Sequence, residues 1–488
     1  MSAVSTHPSD RRRWLTLPVI LLATFMASFD YMVVNVAAPS LSHDLHAGPS
    51  ALELVVGGYG FTYAAAMVTG GKLGDLYGHR RLFTLGMTGF ALASLLCGLA
   101  QSPAQLVGAR LLQGLTAAAM APQVLALITA LFPVQSRPRA MSWFGVAIGT
   151  GGIAGQVLGG LLLQADLLGL GWRVIFLVNV PVGTVAVAAA LRLLPAGEPG
   201  RRSRLDPLGA LGVCGSLALA LAPLVLGRDR GWPLWCWVSL AAAVPALYAT
   251  LRWERGLARR GGEPLLDPAL FRSRSFSAGL TVNVALMASF GGLMFVQTLL
   301  LQSGLGLGAR SAGLVFLPMG AASMAASLLG RGLVARFGTR VLYAGTGICA
   351  LGMAVLAVSL HLTGGGLHAS LLIAPLGLFG LGSGLAVPSL MGTVLSGVRP
   401  AQAGSAAGVL TTAQQFASAT GVAALGAVFF ASLGAHPGRN AYASAAELTT
   451  WIGVFLLVVA TALIALLPRP SATTAPARPA PAKSPASA

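Results

Sequence analysis

Gly71-Lys72-Leu73-Gly74-Asp75-Leu76-Tyr77-Gly78-His79-Arg80-Arg81 is a short charged stretch wedged between two long apolar runs. Its neighbours are too hydrophobic for a soluble domain. A polar, glycine-rich segment in such a setting stays at a water interface, so this stretch reads as a turn joining two membrane spans. The whole chain supports that setting. Of its 488 residues, 55% are hydrophobic and only 9% charged, with a mean hydropathy of +0.78. Soluble domains carry about 25% charged residues. The composition predicts an all-α polytopic membrane protein.

A spanning helix needs about 20 apolar residues. Fourteen runs qualify, near 15–40, 51–70, 82–101, 104–131, 140–163, 174–194, 207–226, 233–251, 276–301, 311–330, 341–360, 368–396, 404–433 and 448–467. The division expected is a terminus over 1–14, a six-helix bundle over 15–194, two inserted helices with basic linkers over 195–275, a second six-helix bundle over 276–467, and a disordered tail over 468–488 rich in Pro, Ala, Ser and Thr.

The basic residues fix an orientation. With Arg11, Arg12 and Arg13 placed in the cytoplasm, 25 of the 31 Lys and Arg residues fall on that side. Arg173, Arg228, Arg230, Arg310 and Arg439 fall on the other, and Arg110 lies within a span. This is the positive-inside pattern, and it places both termini in the cytoplasm. The same scatter excludes nucleic acid as the target of the +18 net charge, because no basic domain forms. Arginine outnumbers lysine 29 to 2, and alanine and glycine are abundant, as in GC-rich bacterial genomes. A bacterial cytoplasmic membrane is the expected location. Cys97, Cys214, Cys236 and Cys349 lie in apolar runs without metal spacing.

Asp30 is the only acidic residue deep in a span, and Arg110 the only basic one. At 1.5 Å per residue, Asp30 lies roughly 22 Å from the cytoplasmic start of span 1 and Arg110 about 9 Å below the outer edge of span 4. In a core about 30 Å thick those depths coincide, so a pair is expected. Either it is a site for a proton or a cationic substrate, or it is a static ion pair fixing helix register. Polar residues in similar runs are Tyr31, Asn35, Gln113 and Gln156, and in the second half Asn283, Gln297, Gln414 and Gln415. They either line a cavity or bond neighbouring helices. Tyr59, Tyr63, Phe90, Phe290, Phe295 and Phe416 offer further aromatic walls. Glu53 reads as a solvated charge at a helix end, and the loop histidines His43, His46, His361, His368 and His436 as solvated; no metal site is expected. Gly151, Gly155 and Gly159 recur every four residues on one face of span 5, a spacing that lets helices approach closely and bend. Gly332 to Arg340, after span 10, echoes Gly71 to Arg81 after span 2, a hint of an internal repeat.

These residues resemble a known family. Gly71, Leu73, Asp75, Gly78, Arg80 and Arg81 fill the signature between helices 2 and 3 of the major facilitator superfamily. Arg110-Leu-Leu-Gln113-Gly114 resembles its helix 4 signature, and Asp30-Tyr-Met-Val-Val-Asn35-Val-Ala-Ala-Pro39 the helix 1 signature of the fourteen-span drug:proton antiporters. Trp172-Arg173-Val-Ile-Phe176-Leu-Val-Asn179-Val-Pro181 is similar to that group's entry into helix 6. The resemblance implies a major facilitator fold, two six-helix bundles plus two extra central helices, rocking about a central site. It implies a carrier rather than an enzyme, with no cofactor, driven by the proton gradient, that exports drugs or other amphipathic small molecules; a monomer is expected, though the sequence does not name the oligomeric state. Asp30 then serves coupling or cation recognition with Arg110 as partner. Asp75 serves a cytoplasmic gate, meeting the N-terminal end of span 13 near Gln402 to Ser405. The antiporter glycine-proline pair of helix 5 is Gly155-Gln156 here. A dedicated exporter of one metabolite or antibiotic, and a solute:proton uptake symporter, are the alternatives.

Overall fold

The computed structural model describes residues 10–133, 135–195, 206–227, 230–262, 270–396, 398, 403–434 and 437–466. Among them are 14 helices long and apolar enough to cross a membrane. In chain order, spans 1 to 7 are Arg13–Leu45, Pro49–Tyr77, His79–Gly98, Pro103–Leu131, Arg139–Ala165, Gly171–Leu193 and Pro207–Leu226. Spans 8 to 14 are Leu234–Arg259, Arg274–Gly304, Ala309–Gly330, Arg340–Gly366, Ser370–Val394, Gly408–Leu433 and Arg439–Leu463. Within lipid a helix satisfies its own backbone groups, which is why the spans of so apolar a chain are helices. Side chains cap exposed ends: Ser102 accepts from Gln105 N, Asp206 from Gly209 N and Ser273 from Phe276 N.

Several boundaries differ from the sequence reading, the end of span 8 at Arg259 rather than 251 among them, and two have a clear physical cause. The stretch from Gly71 is not a turn, because span 2 stays helical through Tyr77. The chain breaks only at Gly78, whose φ of 91° is closed to most side chains, and span 3 starts at His79. Span 14 begins at Arg439 rather than near 448, because its first turns are polar but still helical. The expected tail, most of the first expected linker and residues 263–269 of the second lie outside the described residues.

The packing repeats itself. In the first half span 1 packs on 5, 2 on 4, and 3 on both 4 and 6. In the second half the same pairs recur eight spans later: 9 on 13, 10 on 12, and 11 on both 12 and 14. The echo read from the two basic segments is therefore architectural. Gly338, between spans 10 and 11, has a φ of 56° where Gly78 has 91° between spans 2 and 3. Each donates its N–H to a carbonyl four residues back, Gly78 to Gly74 and Gly338 to Val334.

The halves meet along two seams, span 2 on span 13 and span 5 on span 10. Spans 7 and 8 are central in sequence but peripheral in space. Span 7 covers the first seam, touching spans 2 and 13, and span 8 packs behind it. Ser50 Oγ donates to Val225 O at 2.6 Å, and Leu221 and Val225 pack with Ala423 of span 13.

The seams are tight at one end only. Far from the arginine-rich end, Gly57 and Gly60 lie against Ala419 and Gln415, and Gly313 against the Gln156 carbonyl. One stripe of span 13 runs Ala419, Gln415, Thr412, Gly408, and at Gly408 no neighbour among the described residues lies within 4 Å of an added Cβ. On span 5, Ile153 touches Gly320, but Gly149 one turn on faces open space. The halves thus close at the end opposite the basic residues and part toward the basic end.

Candidate functional site

Asp30 and Arg110 meet as their depths predict. Arg110 Nη1 donates to Asp30 Oδ2 at 2.5 Å, and both side chains are wholly buried. Asp30 Oδ1 accepts from Gln113 Nε2 at 2.8 Å and from Asn179 Nδ2 at 3.0 Å. Gln113 also donates to Ser94 Oγ at 2.7 Å and accepts from Arg110 Nη1 at 2.6 Å. Arg110 Nε donates to the Val55 carbonyl at 2.9 Å. Spans 1, 2, 3, 4 and 6 thus tie into one polar knot in the first half. Buried charges require such pairing, since an isolated one in hydrocarbon is expensive.

The knot faces aromatic rings. The Arg110 guanidinium carbon lies 4.5 Å from the Tyr59 ring centroid and 5.8 Å from that of Phe176. Tyr59 stacks on Tyr63 at 5.9 Å and tilts against Tyr31 at 6.1 Å. Tyr31 crosses the seam, its Oη 2.5 Å from Ser418 Oγ of span 13. Short steps therefore connect the ion pair to the contact between halves.

The polar candidates divide. Gln113 belongs to the ion-pair knot, not to a cavity wall. Asn35 turns back to the Tyr31 carbonyl on its own helix at 3.1 Å. Gln156 lies at the second seam between the sulfurs of Met32 and Met294, at 3.9 and 4.0 Å, with its Oε1 unpartnered. Asn283 donates to Leu410 O at 3.2 Å and accepts from Gln414 Nε2 at 3.1 Å, a helix-to-helix link between spans 9 and 13. Gln297 is fully buried with both polar atoms unpartnered. Gln415 presents its carbonyl to Gly60 across the first seam.

Glu53 is not a solvated helix-end charge. It is 2% exposed, because the end of span 2 is covered by span 13, with Gly426 and Phe295 beside the carboxylate. Asp75 is 59% exposed and lies 3.6 Å from His79 Nε2 one turn on. Gln402, at its expected target, lies outside the described residues. Arg80 of that signature and its neighbour His79 are stapled within the first half. His79 Nδ1 lies 2.8 Å from Gln123 Oε1, Gln123 Nε2 donates to Gly70 O at 2.9 Å, and Arg80 reaches the Leu191 carbonyl. The glycine ribbon packs on span 1. Gly151 abuts the Phe25 carbonyl and Gly155 the Phe29 carbonyl, while Gly159 meets Val33.

Asn179, Ser94 and Gln123 were not singled out by the sequence as partners. Each is a lone polar residue in an apolar run, the signal that flagged Gln113, but single polar residues do not disclose which helix they face.

Comparison with known proteins agrees with this architecture. The Major Facilitator Superfamily profile matches residues 20–422. A probable actinorhodin transporter of Streptomyces coelicolor is 38% identical over 88% of this chain and 74% of its own length. A cephamycin export protein of Amycolatopsis lactamdurans is 34% identical over 97% of each chain. Among solved structures, a bacterial homologue of the lysosomal transporter Spinster, inward-facing and unoccupied, superposes with a TM-score of 0.67 at 17% identity, covering 94% of this chain and 98% of its own. The repeated halves, the signature segments and the profile match together place this chain in the major facilitator superfamily.

Proposed function

We propose that the protein exports an amphipathic small molecule, of the antibiotic class its relatives are named for, across the cytoplasmic membrane in exchange for protons. Its basic end faces the cytoplasm, following the arginine distribution. The relatives' printed names supply efflux, and the buried Asp30–Arg110 knot supports the coupling. In the state described, Asp30 is charge-compensated and sealed from solvent and from the seam. A proton arriving on Asp30 removes the partner charge of Arg110. The guanidinium, held also by Val55 O and the Tyr59 face, then shifts its balance of contacts and disturbs the Tyr59–Tyr31–Ser418 series that holds the far seam shut. Alternating access is thereby linked to protonation with no cofactor. The relatives' names divide between single antibiotics and multidrug resistance, so the compounds to test span a broad panel that includes single antibiotics.

Everted membrane vesicles test this. After acidification, addition of the cognate compound releases protons from wild-type vesicles, and Asp30→Asn vesicles with equal protein content release none. Coupled exchange persisting in Asp30→Asn overturns the assignment to Asp30. No proton movement with any compound of a broad antibiotic panel overturns antiport.

A further inference from the structure

Span 8 carries one exposed stripe along its whole length. Leu234, Trp237, Val244 and Tyr248 follow one another at steps of three, seven and four residues, so they share a face, and all four are exposed. That face meets lipid chains. Because the helix runs on to Arg259, the stripe continues through Arg252, Arg255 and Arg259, at steps of four, three and four, and these are exposed too. What reads in sequence as a basic linker is a ladder of arginines on the lipid-facing side of one continuous helix.

Depth and anchoring define the ladder further. At 1.5 Å per residue, Arg252 lies about 27 Å along the helix from Leu234, near the edge of a hydrocarbon core about 30 Å thick. Arg255 and Arg259 lie about 5 Å and about 11 Å beyond it, in and just outside the headgroup layer. The Arg252 guanidinium carbon is 5.9 Å from the Tyr248 ring centroid, one turn closer to the hydrocarbon. The opposite face is locked to span 7. Thr250 abuts Gly212, and the wholly buried Glu254 abuts Gly209. Trp253 Nε1 donates to the Asp206 carboxylate at 3.2 Å. The arginine face is therefore held at a fixed azimuth. Among the described residues none of the three arginines pairs with a carboxylate. Cations at a helix C-terminus complement its dipole, but only in the last turn, and Arg252 and Arg255 precede it. Guanidinium matches phosphate as a two-pronged donor. Three such groups, above lipid chains and at headgroup depth, select a ligand that is both lipid and anionic.

We propose that Arg252, Arg255 and Arg259 bind the headgroup phosphate of an anionic phospholipid whose chains lie along Val244 and Tyr248. Span 8 packs behind span 7, which covers the seam between spans 2 and 13, so the bound lipid ties the cover of that seam to the membrane surface.

The test titrates the full-length protein in neutral detergent with dioleoyl phosphatidylglycerol. Bound lipid is counted by native mass spectrometry, and the melting temperature is read alongside. Wild type is expected to take up this lipid saturably and to melt higher. Dioleoyl phosphatidylcholine is expected to bind at least tenfold more weakly, and inorganic phosphate at equal ionic strength to leave the melting temperature unchanged. Arg252→Gln, Arg255→Gln and Arg259→Gln together are expected to weaken binding at least tenfold. Arg252→Lys, Arg255→Lys and Arg259→Lys together keep every charge, and with it the orientation in the membrane, but lose the fork and are expected to weaken binding about threefold. This second triple remains readable if the first inserts wrongly. Arg192→Gln, Arg336→Gln and Arg340→Gln remove equal charge at exposed positions of the same end and are expected to leave affinity unchanged. Absence of saturable binding to wild type overturns the site, as does an equal loss of affinity in this last triple. Wild-type affinity in the lysine triple overturns headgroup recognition, because diffuse charge then suffices. An equal rise in melting temperature with inorganic phosphate overturns a lipid as the occupant. Because no transport is measured, the result is independent of the vesicle experiment.

Discussion

Arg110 does three jobs with one side chain, and this sets what can replace it. Its Nε holds the Val55 carbonyl, and Nη1 holds both Asp30 and Gln113. Lysine carries the charge but not the planar fork, so it cannot serve both directions at once. Arg110→Lys is expected to lower substrate-driven proton release at least tenfold with a modest drop in melting temperature. Arg110→Ala leaves Asp30 charged and buried, a loss of about 3–5 kcal/mol that unfolding in detergent measures. Full transport by Arg110→Lys would show that charge alone suffices and that the fork is dispensable. The pair was legible in sequence because only two deep charges exist and their depths coincide. Its further partner Asn179 was not, since one polar residue in an apolar run reveals depth but not azimuth. Glu53 misled for a related reason. Four residues from the start of a helix reads as exposed, and nothing local discloses that span 13 covers it.

At the scale of helices, the spacing of small residues decides which pairs approach. Spans 1 and 5 approach so closely that Phe25 and Phe29 carbonyls lie where a side chain from Gly151 or Gly155 would go. Gly152, one residue over, has only Met32 Cγ at 3.9 Å from an added Cβ. The two positions therefore separate packing from helix propensity. Gly155→Val is expected to destabilise the protein by about 1–3 kcal/mol through overpacking, and Gly152→Ala to be neutral or slightly stabilising. Melting temperatures of the two variants in the same detergent check this, and equal values would mean that the ribbon bends the helix rather than packs it. The sequence disclosed the ribbon's face but not its partner. It also misread residues 71–77 as a turn, because charged and glycine residues at the end of a span look like a loop while the helix runs past the hydrocarbon. Only Gly78, with positive φ, marks the true break.

For the whole molecule, the fourteen spans and the two-fold plan were legible from hydropathy, arginine placement and paired basic segments. Which end is shut was not, since that depends on which of two arrangements of the same two halves is populated. The closed end makes a sharp demand. Alternating access by rocking requires Gly57 and Ala419 to separate in each cycle, and a Cβ added at Gly57 would lie 3.8 Å from Ala419 Cβ. That is the mean Cβ separation of a disulfide, about 3.8 Å, so the pair Gly57→Cys with Ala419→Cys is expected to oxidise without backbone movement. The native thiols do not compete well, because Cys97, Cys236 and Cys349 are buried and Cys214 is half-buried, though replacing all four with serine or alanine gives a clean background. Oxidation should stop substrate-driven proton release in everted vesicles, and dithiothreitol should restore it, while each single variant keeps transport in both conditions. Substrate binding from the basic end should survive the cross-link, because Gly149 and Gly408 face open space there. Transport that continues through a fully formed cross-link would mean that this seam stays shut throughout the cycle, and that access to the far side runs along some path other than the separation of spans 2 and 13.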